Sequence, residues 1–297
     1  MTYSIIARDP DTGDMGVAVQ SRWFSVGSVA SWAEPGVGAV ATQSIADPSY
    51  GPKGLDLMRE GVAAPDALRR LLDDDERSAI RQVAMVDARG RAAAHSGEGS
   101  VPAFGHVVGE GYSCQANMME RDTVWDAMAR AYEGSEGDLA ARLMAALRGA
   151  EGEGGDMRGR QSAAILVVGG DRGDRPWERK MDLRVEDHAD PVGELERLVT
   201  VKHAYDLMER GEIMAVTGDT DGAAQAYREA VALVPADDQP AFWCALVLLG
   251  TGDEEGARAM MARACGAEPR WRDFLDRVIA AGLFVGDPDA VRAILPG

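Results

Sequence analysis

Apolar and polar residues alternate with two different periods along the chain as far as residue 185. Short apolar runs bounded by turn residues predict strands, and apolar residues three or four positions apart predict helices. The predicted strands are residues 3–8, 15–22, 38–44, 80–86, 91–96, 162–169 and 180–185. The predicted helices begin near residues 53 and 65, with two more at 121–132 and 139–147. Because strands and helices come in groups, this order predicts an α+β domain with antiparallel sheets covered by helices.

After a predicted linker at residues 187–191, the pattern becomes helical throughout and repeats itself. Gly-Asp turns begin at residues 218, 252 and 286, so that successive turns are 34 positions apart. Pro235 and Pro269 keep the same spacing. Two amphipathic helices around such a turn, with this period, resemble the tetratricopeptide repeat. We therefore predict two domains, 1–192 and 193–297, and the second is expected to be an all-α array of stacked helical repeats.

The net charge limits the partners that this chain can bind. Its 297 residues include 49 Asp and Glu against 31 Lys and Arg, which gives a formal net charge of −18. Nucleic acids and acidic membranes attract Lys and Arg, so we expect neither as a partner. The sequence contains no apolar run long enough to cross a bilayer and does not begin like a secretion signal. These features predict a cytoplasmic protein.

The cysteines and histidines are too scattered to indicate a disulfide framework or a metal site. Cys114, Cys244 and Cys265 are odd in number and far apart, and the four histidines do not have the spacing of metal ligands. We therefore expect no metal and no cofactor. Any chemistry that the chain performs must come from its own side chains.

Thr2 is the position with the most specific chemical potential. The initiator methionine is normally removed when the second residue is small, and its removal here leaves a threonine with a free α-amine at the start of a strand. An α-amine titrates near pH 8 (roughly 7.7–8.0), so it can accept the proton of the hydroxyl beside it. Many proteins have threonine at this position without any such role, and the residue alone does not separate the two interpretations.

The first domain also carries specific motifs that resemble a known family over nearly all of residues 1 to 192. These motifs are TYSIIA at 2–7, GVAVQSR at 16–22, GVGAVATQ at 36–43, YGPKG at 50–54, GYSCQAN at 111–117 and GDMRGRQSAA at 155–164. They resemble the family of unknown function DUF1028, which is similar to the N-terminal-nucleophile hydrolases. The resemblance implies a four-layer αββα sandwich in which two antiparallel sheets lie between helix layers. It also implies that Thr2 is the nucleophile.

Three residues are candidates to assist Thr2. Amide hydrolysis passes through an oxyanion that needs hydrogen-bond donors, and Asn117 is the candidate donor beside main-chain N–H groups. Asn117 is equally suited to capping a helix or ordering a turn. Ser21 and Arg22 end the strand that should pair with Thr2, and the Arg22 cation would lower the pKa of the α-amine. The alternative for Arg22 is an exposed charge at a strand end.

A glycine-rich loop at residues 154–161 is the candidate for binding an acidic end of the substrate. Arg158 and Arg160 can hold a carboxylate through paired hydrogen bonds, and Asp156 lies in the same loop. A flexible surface loop with solvated charges is the alternative. Gln43 and Ser44 end the third predicted strand and are expected either to line the same pocket or to satisfy backbone groups.

These residues lead to two functional hypotheses of different classes. The first is an amidohydrolase that cleaves a small-molecule amide with an N-terminal threonine nucleophile. The second is a non-catalytic scaffold protein whose repeats bind a peptide or another protein in a concave groove. The repeats are also suited to self-association, so we expect a homo-oligomer.

Overall fold

The computed structural model describes residues 2–173, 175, 177–282 and 287–296. The chain divides into two compact units, Met1–Arg197 and Leu198–Gly297. Helix α6 (Pro191–Thr217) contains the boundary between them. Pro191, at the end of the predicted linker, is the first residue of this helix, where its missing N–H costs no hydrogen bond.

Ten strands in the first unit form two antiparallel sheets, as the grouping of the elements predicts. The strands are β1 (Thr2–Arg8), β2 (Met15–Ser21), β3 (Ser31–Glu34), β4 (Gly38–Ser44), β5 (Arg81–Asp87), β6 (Ala92–Ser96), β7 (Gly105–Gly109), β8 (Tyr112–Asn117), β9 (Ser162–Val168) and β10 (Arg179–Val185). One sheet has six strands in the order β10-β9-β2-β1-β8-β7, and the other has four in the order β3-β4-β5-β6. Strand β1 therefore lies inside the larger sheet, between β2 and β8.

Helices cover the outer surface of each sheet in the first unit. The helices of the described first unit are α1 (Gly27–Ala30), α2 (Tyr50–Arg59), α3 (Ala64–Asp73), α4 (Val124–Glu133) and α5 (Leu139–Gly152), with one 3-10 turn at Ser78–Ile80. The short α1 is the exception to this arrangement, because it contacts β4 of one sheet and β9 of the other. Helices α2 and α3 pack on the four-stranded sheet, and α4 and α5 pack on the six-stranded sheet. A separate apolar core, which includes Ile6, Val17, Ala39, Ala41 and Val86, joins the facing surfaces of the two sheets.

Small residues allow close packing between the helices and the sheets. Gly51 of α2 lies directly against the Trp32 ring, and a Cβ there would approach the ring to 2.2 Å. Helix α2 begins at Tyr50, earlier than the sequence pattern predicts, because Pro52 is tolerated within a first helical turn. The N-terminus of α5 is capped by Asp138, which accepts a hydrogen bond from the Ala141 N–H at 2.8 Å.

Strands β3, β7 and β8 are absent from the sequence-based prediction, and β8 is the most informative of the three. All six of its residues are buried, yet Ser113, Gln115 and Asn117 alternate with less polar residues. This polar side faces the space between the sheets, where hydrogen bonds replace apolar packing. A search for apolar runs does not detect a strand of this kind.

In the residues that the structure describes, the secondary-structure elements of the second unit are all helices. Beyond α6 it contains α7 (Thr220–Leu233), α8 (Gln239–Gly250), α9 (Glu254–Ala267), α10 (Trp271–Ala280) and α11 (Pro288–Ala293). The predicted turn residue Gly286 lies outside the described part of the chain. The Phe242 ring stacks on Trp271 with centroids 4.5 Å apart, inside the apolar core of this unit. Within the described ranges, no helix is long and apolar enough to cross a membrane.

Aspartates at regular intervals cap the helices of the second unit. Asp219 and Asp253 accept hydrogen bonds from the N–H groups of Gly222 and Gly256, at 3.0 and 2.9 Å. Asp287, at the next interval, accepts from the Asp289 N–H at 2.9 Å. The sequence repeat at 34 residues therefore corresponds to a repeated helix start.

Candidate functional site

Thr2 begins strand β1 at one end of the six-stranded sheet. It pairs with Ser21 of β2 on one side and with Asn117 of β8 on the other. Its Oγ1 lies 2.9 Å from the Ser21 Oγ, and only 6% of the residue is exposed. Because side chains alternate along a strand, Thr2 faces the space between the sheets while its neighbour Tyr3 faces helix α5.

Amide side chains from both sheets hold the carbonyl group of Thr2. The Gln43 Nε2 of β4 donates to the Thr2 oxygen at 3.2 Å, and the Asn117 Nδ2 donates to the same oxygen at 3.3 Å. The Gln82 Oε1 of β5 accepts from both nitrogens, at 2.6 Å from Gln43 and 2.9 Å from Asn117. The first residue of β1 is therefore fixed by hydrogen bonds within the sandwich.

Further polar residues extend this network into the core. The Gln115 Nε2 donates to the Ser4 Oγ at 2.7 Å, and the Ser4 hydroxyl donates to the Gln43 Oε1 at 2.7 Å. The Gln82 Nε2 donates to the Ser96 Oγ at 2.7 Å. In the residues that the structure describes, the side chains bonded to Thr2 are amides or hydroxyls without charge, so the interior of the site is polar and neutral.

Asn117 has an unusual hydrogen-bond balance. The residue is completely buried, and its Nδ2 donates to the Thr2 oxygen and to the Gln82 Oε1. Its Oδ1 has no hydrogen-bond partner among the residues of the described ranges. A buried carbonyl without a partner is costly, by about 1–3 kcal/mol. Asn117 therefore presents a free acceptor at the Thr2 end of the sheet, while the two hydrogens of its amide are already used.

Asp156 ties the glycine-rich loop to the end of strand β2. Its carboxylate accepts from the N–H groups of Arg22 and Arg158, at 3.0 and 2.9 Å, and its side chain is completely buried. The Arg158 guanidinium pairs with the same carboxylate at 3.2 Å. The Arg22 guanidinium is exposed and donates to the Arg160 carbonyl at 3.4 Å. Asp156 thus acts as an anchor that brings the loop beside Arg22.

The Arg160 side chain belongs to a different cluster, on the helix side of the sheet. Its guanidinium pairs with Glu151 of α5 and lies 3.7 Å from the Asp190 carboxylate. Glu151 also accepts a hydrogen bond from the Tyr3 hydroxyl. Burial, together with the charge of Glu151, holds the pKa of Tyr3 well above its usual value. This cluster and Thr2 lie on opposite faces of strand β1.

The backbone turns into the left-handed region immediately after two residues of the network. Ser44 follows Gln43 with φ +70°, and Met118 follows Asn117 with φ +57°. Such angles are uncommon for residues other than glycine and cost free energy. The Ser44 Oγ lies 3.2 Å from the Ser100 Oγ, so its side chain is bonded to a neighbouring loop.

The structure brings four of the predicted site residues into direct contact: Thr2, Ser21, Gln43 and Asn117. Three others, Arg22, Asp156 and Arg158, form the adjoining loop anchor, whereas the Ser44 and Arg160 side chains bond elsewhere. Among the further members of the network, the sequence-based prediction missed Ser4, Gln82, Ser96 and Gln115. The alternation of polar residues in β8 is a signal that would have indicated Gln115, but it gives no information on the members that lie in other strands.

Other reactive groups in the described chain do not gather into a site. No three His, Cys, Asp or Glu residues of the described ranges lie close enough together to hold a metal ion. Cys114 is buried in β8, and this burial raises the pKa of its thiol well above the usual value. A thiol with a raised pKa is a poor nucleophile.

Comparison with known proteins identifies the family to which the chain belongs. Residues 2–195 match the model of a family of unknown function, DUF1028, and the chain is a member of that family. The chain is similar to the crystal structure of protein SPO2555 from Silicibacter pomeroyi, which carries the same family model. The two chains are 34% identical with a TM-score of 0.61, over 67% of this chain and 84% of the other. No curated protein matches the chain.

Proposed function

We propose that this protein is an amide hydrolase that uses Thr2 as its nucleophile after Met1 has been removed. The observation that carries the proposal is the position of Thr2, whose hydroxyl lies 2.9 Å from Ser21 and whose carbonyl is held by Gln43 and Asn117. These contacts fix the hydroxyl and the carbonyl of the residue that would carry the α-amine. A small-molecule amide is the proposed substrate.

The arrangement of layers supports the same proposal. Two antiparallel sheets face each other, with α2 and α3 outside one sheet and α4 and α5 outside the other. This order of layers fits the four-layer αββα sandwich of the N-terminal-nucleophile hydrolases. In that fold the nucleophile begins a strand, as Thr2 begins β1 here. A fold does not establish an activity by itself, so the argument depends on the residues around Thr2.

The reaction follows from the groups on Thr2 itself. Its Oγ1 attacks the amide carbon while the hydroxyl proton passes to the α-amine, and this proton then goes to the leaving nitrogen as the C–N bond breaks. Water hydrolyses the resulting ester and restores the threonine. Ser21 orients the Thr2 hydroxyl, and the Arg22 cation keeps the α-amine unprotonated.

Asn117 receives a different role from the one suggested by its residue type. Both hydrogens of its amide are bonded within the protein, so we assign it to holding Thr2 in place. Oxyanion stabilisation then falls to main-chain N–H groups, the second of the two donors considered from the sequence.

Two variants at the N-terminus, compared with the wild type, test this proposal. Intact mass spectrometry of the wild type should show that Met1 is absent. In assays with a library of small amides, Thr2→Ala should lower kcat/KM at least about 1000-fold, because it removes the nucleophile and leaves the amine. Thr2→Ser also keeps a small second residue and a hydroxyl, and it should retain turnover. Circular dichroism should be the same for all three proteins.

Two results would contradict the hydrolase proposal. One is a wild-type protein purified from its native cells with Met1 still attached. The other is a Thr2→Ala protein that turns over the same amides as the wild type. Either result would leave the architecture unchanged.

The helical unit supports a second candidate function, a scaffold that binds a peptide or protein. Capping aspartates recur at 34-residue intervals, which fits tetratricopeptide-like repeats. Under this alternative, Thr2→Ala leaves the set of proteins captured in pull-downs unchanged. Substitutions on the exposed surfaces of α7 to α10 would instead abolish the capture of one of these proteins.

A further inference from the structure

We infer that exposed apolar side chains on the loops at the Thr2 end select amides with an apolar acyl group. This inference rests on the proposed function. We call this set the apolar rim and define it by five residues: Trp23, Phe24, Ile45, Val101 and Met157. Trp23, Phe24 and Met157 are proposed as determinants of substrate specificity.

The members of the apolar rim are large and strongly exposed. Trp23, Phe24 and Met157 are 64%, 62% and 59% exposed, and Ile45 and Val101 are 48% and 46% exposed. The described part of the first unit exposes two other large apolar side chains, Val108 and Trp177. Single exposed apolar residues are common on protein surfaces, whereas a concentration of them marks a binding site.

Each member is joined to the Thr2 network through the chain and its hydrogen bonds. Trp23 and Phe24 follow Ser21 and Arg22 at the end of β2. Met157 follows Asp156, whose carboxylate bonds the Arg22 N–H at 3.0 Å. This bond places Met157 and Trp23 on adjoining loops.

The other two members come from the facing sheet. Ile45 comes two positions after Gln43, whose amide contacts the Thr2 carbonyl. Val101 follows Ser100, whose Oγ lies 3.2 Å from the Ser44 Oγ. Loops from both sheets therefore bring apolar side chains to the same end of the sandwich.

The backbone beneath Trp23 and Phe24 is held firmly although their side chains are exposed. The buried Ser162 hydroxyl donates to the Trp23 carbonyl at 2.6 Å, and the Ser25 N–H donates to the Glu186 carbonyl at 3.1 Å. Ser25 itself has φ +55°. These restraints hold the backbone of the two aromatic residues in place, so binding does not have to order the loop, which lowers the entropy cost of binding.

The chemistry of the site favours an apolar acyl group as the occupant. The groups around Thr2 are neutral amides and hydroxyls, which suit the amide bond itself. The nearby Arg158 guanidinium is paired with Asp156, so its charge is already balanced. An apolar group extending from the amide would reach the rim, where its burial is favourable.

A series of anilides with acyl chains of two, four, six and eight carbons tests the inference with the processed full-length protein. We expect kcat/KM to rise about two- to fourfold for each added methylene, the gain that burial of a CH₂ provides. Trp23→Ser, Phe24→Ser and Met157→Ser should each flatten this dependence. Val108→Ser is the matched control, because Val108 is 45% exposed on β7 and pairs with Ser113, away from Thr2.

A binding measurement distinguishes failure of the inference about the rim from failure of the proposal that Thr2 is the nucleophile. The Thr2→Ala protein should bind the eight-carbon anilide more tightly than the two-carbon anilide, as measured by tryptophan fluorescence, and Phe24→Ser should remove the difference. This pattern supports the role of the rim in specificity even when turnover does not depend on Thr2. If turnover depends on Thr2 but is the same for all chain lengths, the inference about the rim is wrong and the assignment of Thr2 as the nucleophile stands.

The rim also has a competing occupant, a second copy of the chain. Light scattering on the same serine variants tests this possibility. If they change the oligomeric state while the chain-length dependence stays as in the wild type, the rim is a contact between copies and the inference is wrong. An unchanged oligomeric state with a flattened dependence supports it.

Discussion

Two glutamines, Gln20 and Gln82, are equally buried but differ in their hydrogen bonding. Both are completely buried in central strands. Gln82 bonds Gln43 and Asn117 through its oxygen, and its nitrogen is also satisfied. Neither side-chain amide atom of Gln20 has a partner among the described residues. The two side chains are therefore equally buried, but hydrogen bonds offset the cost of burying a polar group only at Gln82.

The same substitution at these two positions should have effects of opposite sign. Gln82→Met removes one acceptor from the Gln43 and Asn117 amides, which keep their bonds to the Thr2 oxygen, and should lower the free energy of unfolding by about 1–3 kcal/mol. Gln20→Met removes two unpaired polar atoms at similar volume and should raise it by about 1 kcal/mol. Urea unfolding monitored by fluorescence measures both. Equal destabilisation by the two variants would contradict this account.

The neutral surroundings of Thr2 give a simple pH dependence. The amides and hydroxyls that bond Thr2 do not titrate near neutral pH, so the α-amine is the expected ionising group. Because the unprotonated amine is the base, kcat/KM should fall about tenfold per pH unit below the pKa of the amine and level off above it. That pKa is expected near 8, or lower beside Arg22. A constant kcat/KM between pH 5.5 and 9 would exclude the amine as the base.

At the level of single elements, the repeated Gly-Asp motif has a physical explanation. Gly218 and Gly252 end the preceding helices with φ +91° and +83°, and the aspartates that follow them cap the next helices. A Cβ on Gly222 would lie 2.3 Å from the Asp219 carboxylate. The glycine three positions after the aspartate gives the carboxylate room at this cap, whereas Asp138 caps α5 over an alanine at the same offset, Ala141.

Loss of either part of this motif should destabilise helix α7. Asp219→Ala removes the cap and should cost about 0.5–2 kcal/mol. Gly222→Ala should have a smaller effect, because its methyl group meets the movable end of the Asp219 side chain, and Asp138 caps α5 over Ala141 at the same offset. Gln225→Ala, on the exposed side of the same helix, is the control and should change stability by less than about 0.5 kcal/mol. Thermal unfolding monitored by the circular dichroism of the helices measures all three variants. Equal unfolding midpoints for Asp219→Ala and Gln225→Ala would refute the role of the cap.

The elements differ in how far the sequence predicts them. Strands β1, β2, β4 and β9 have apolar runs that predict them directly, and the turn at Asp9–Asp14 places Ser21 beside Thr2. Strand β8 has alternating polar residues, whose burial depends on partners in the other sheet. Contact between Gln43 and Thr2 crosses from one sheet to the other, and no local pattern encodes it. The candidate site was therefore predictable along each hairpin but not across the sandwich.

For the whole molecule, the excess of acidic residues has a measurable consequence. The formal net charge of −18 makes the folded chain repel itself, and salt screens this repulsion. Ion pairs such as Arg148 with Glu196 are largely exposed and contribute little in return. We expect the unfolding midpoint to rise by a few degrees between 10 and 300 mM NaCl. A midpoint that falls over this range would mean that the exposed ion pairs outweigh the repulsion.

The left-handed residues after Gln43 and Asn117 have a consequence for the stability of this chain. Glycine adopts these angles without strain, so Met118→Gly would relax the backbone while also loosening the peptide that follows Asn117. Glycine also adds conformational entropy to the unfolded chain, which offsets part of this relief. Met118 is thus a position where relief of backbone strain and rigidity beside Asn117 oppose each other.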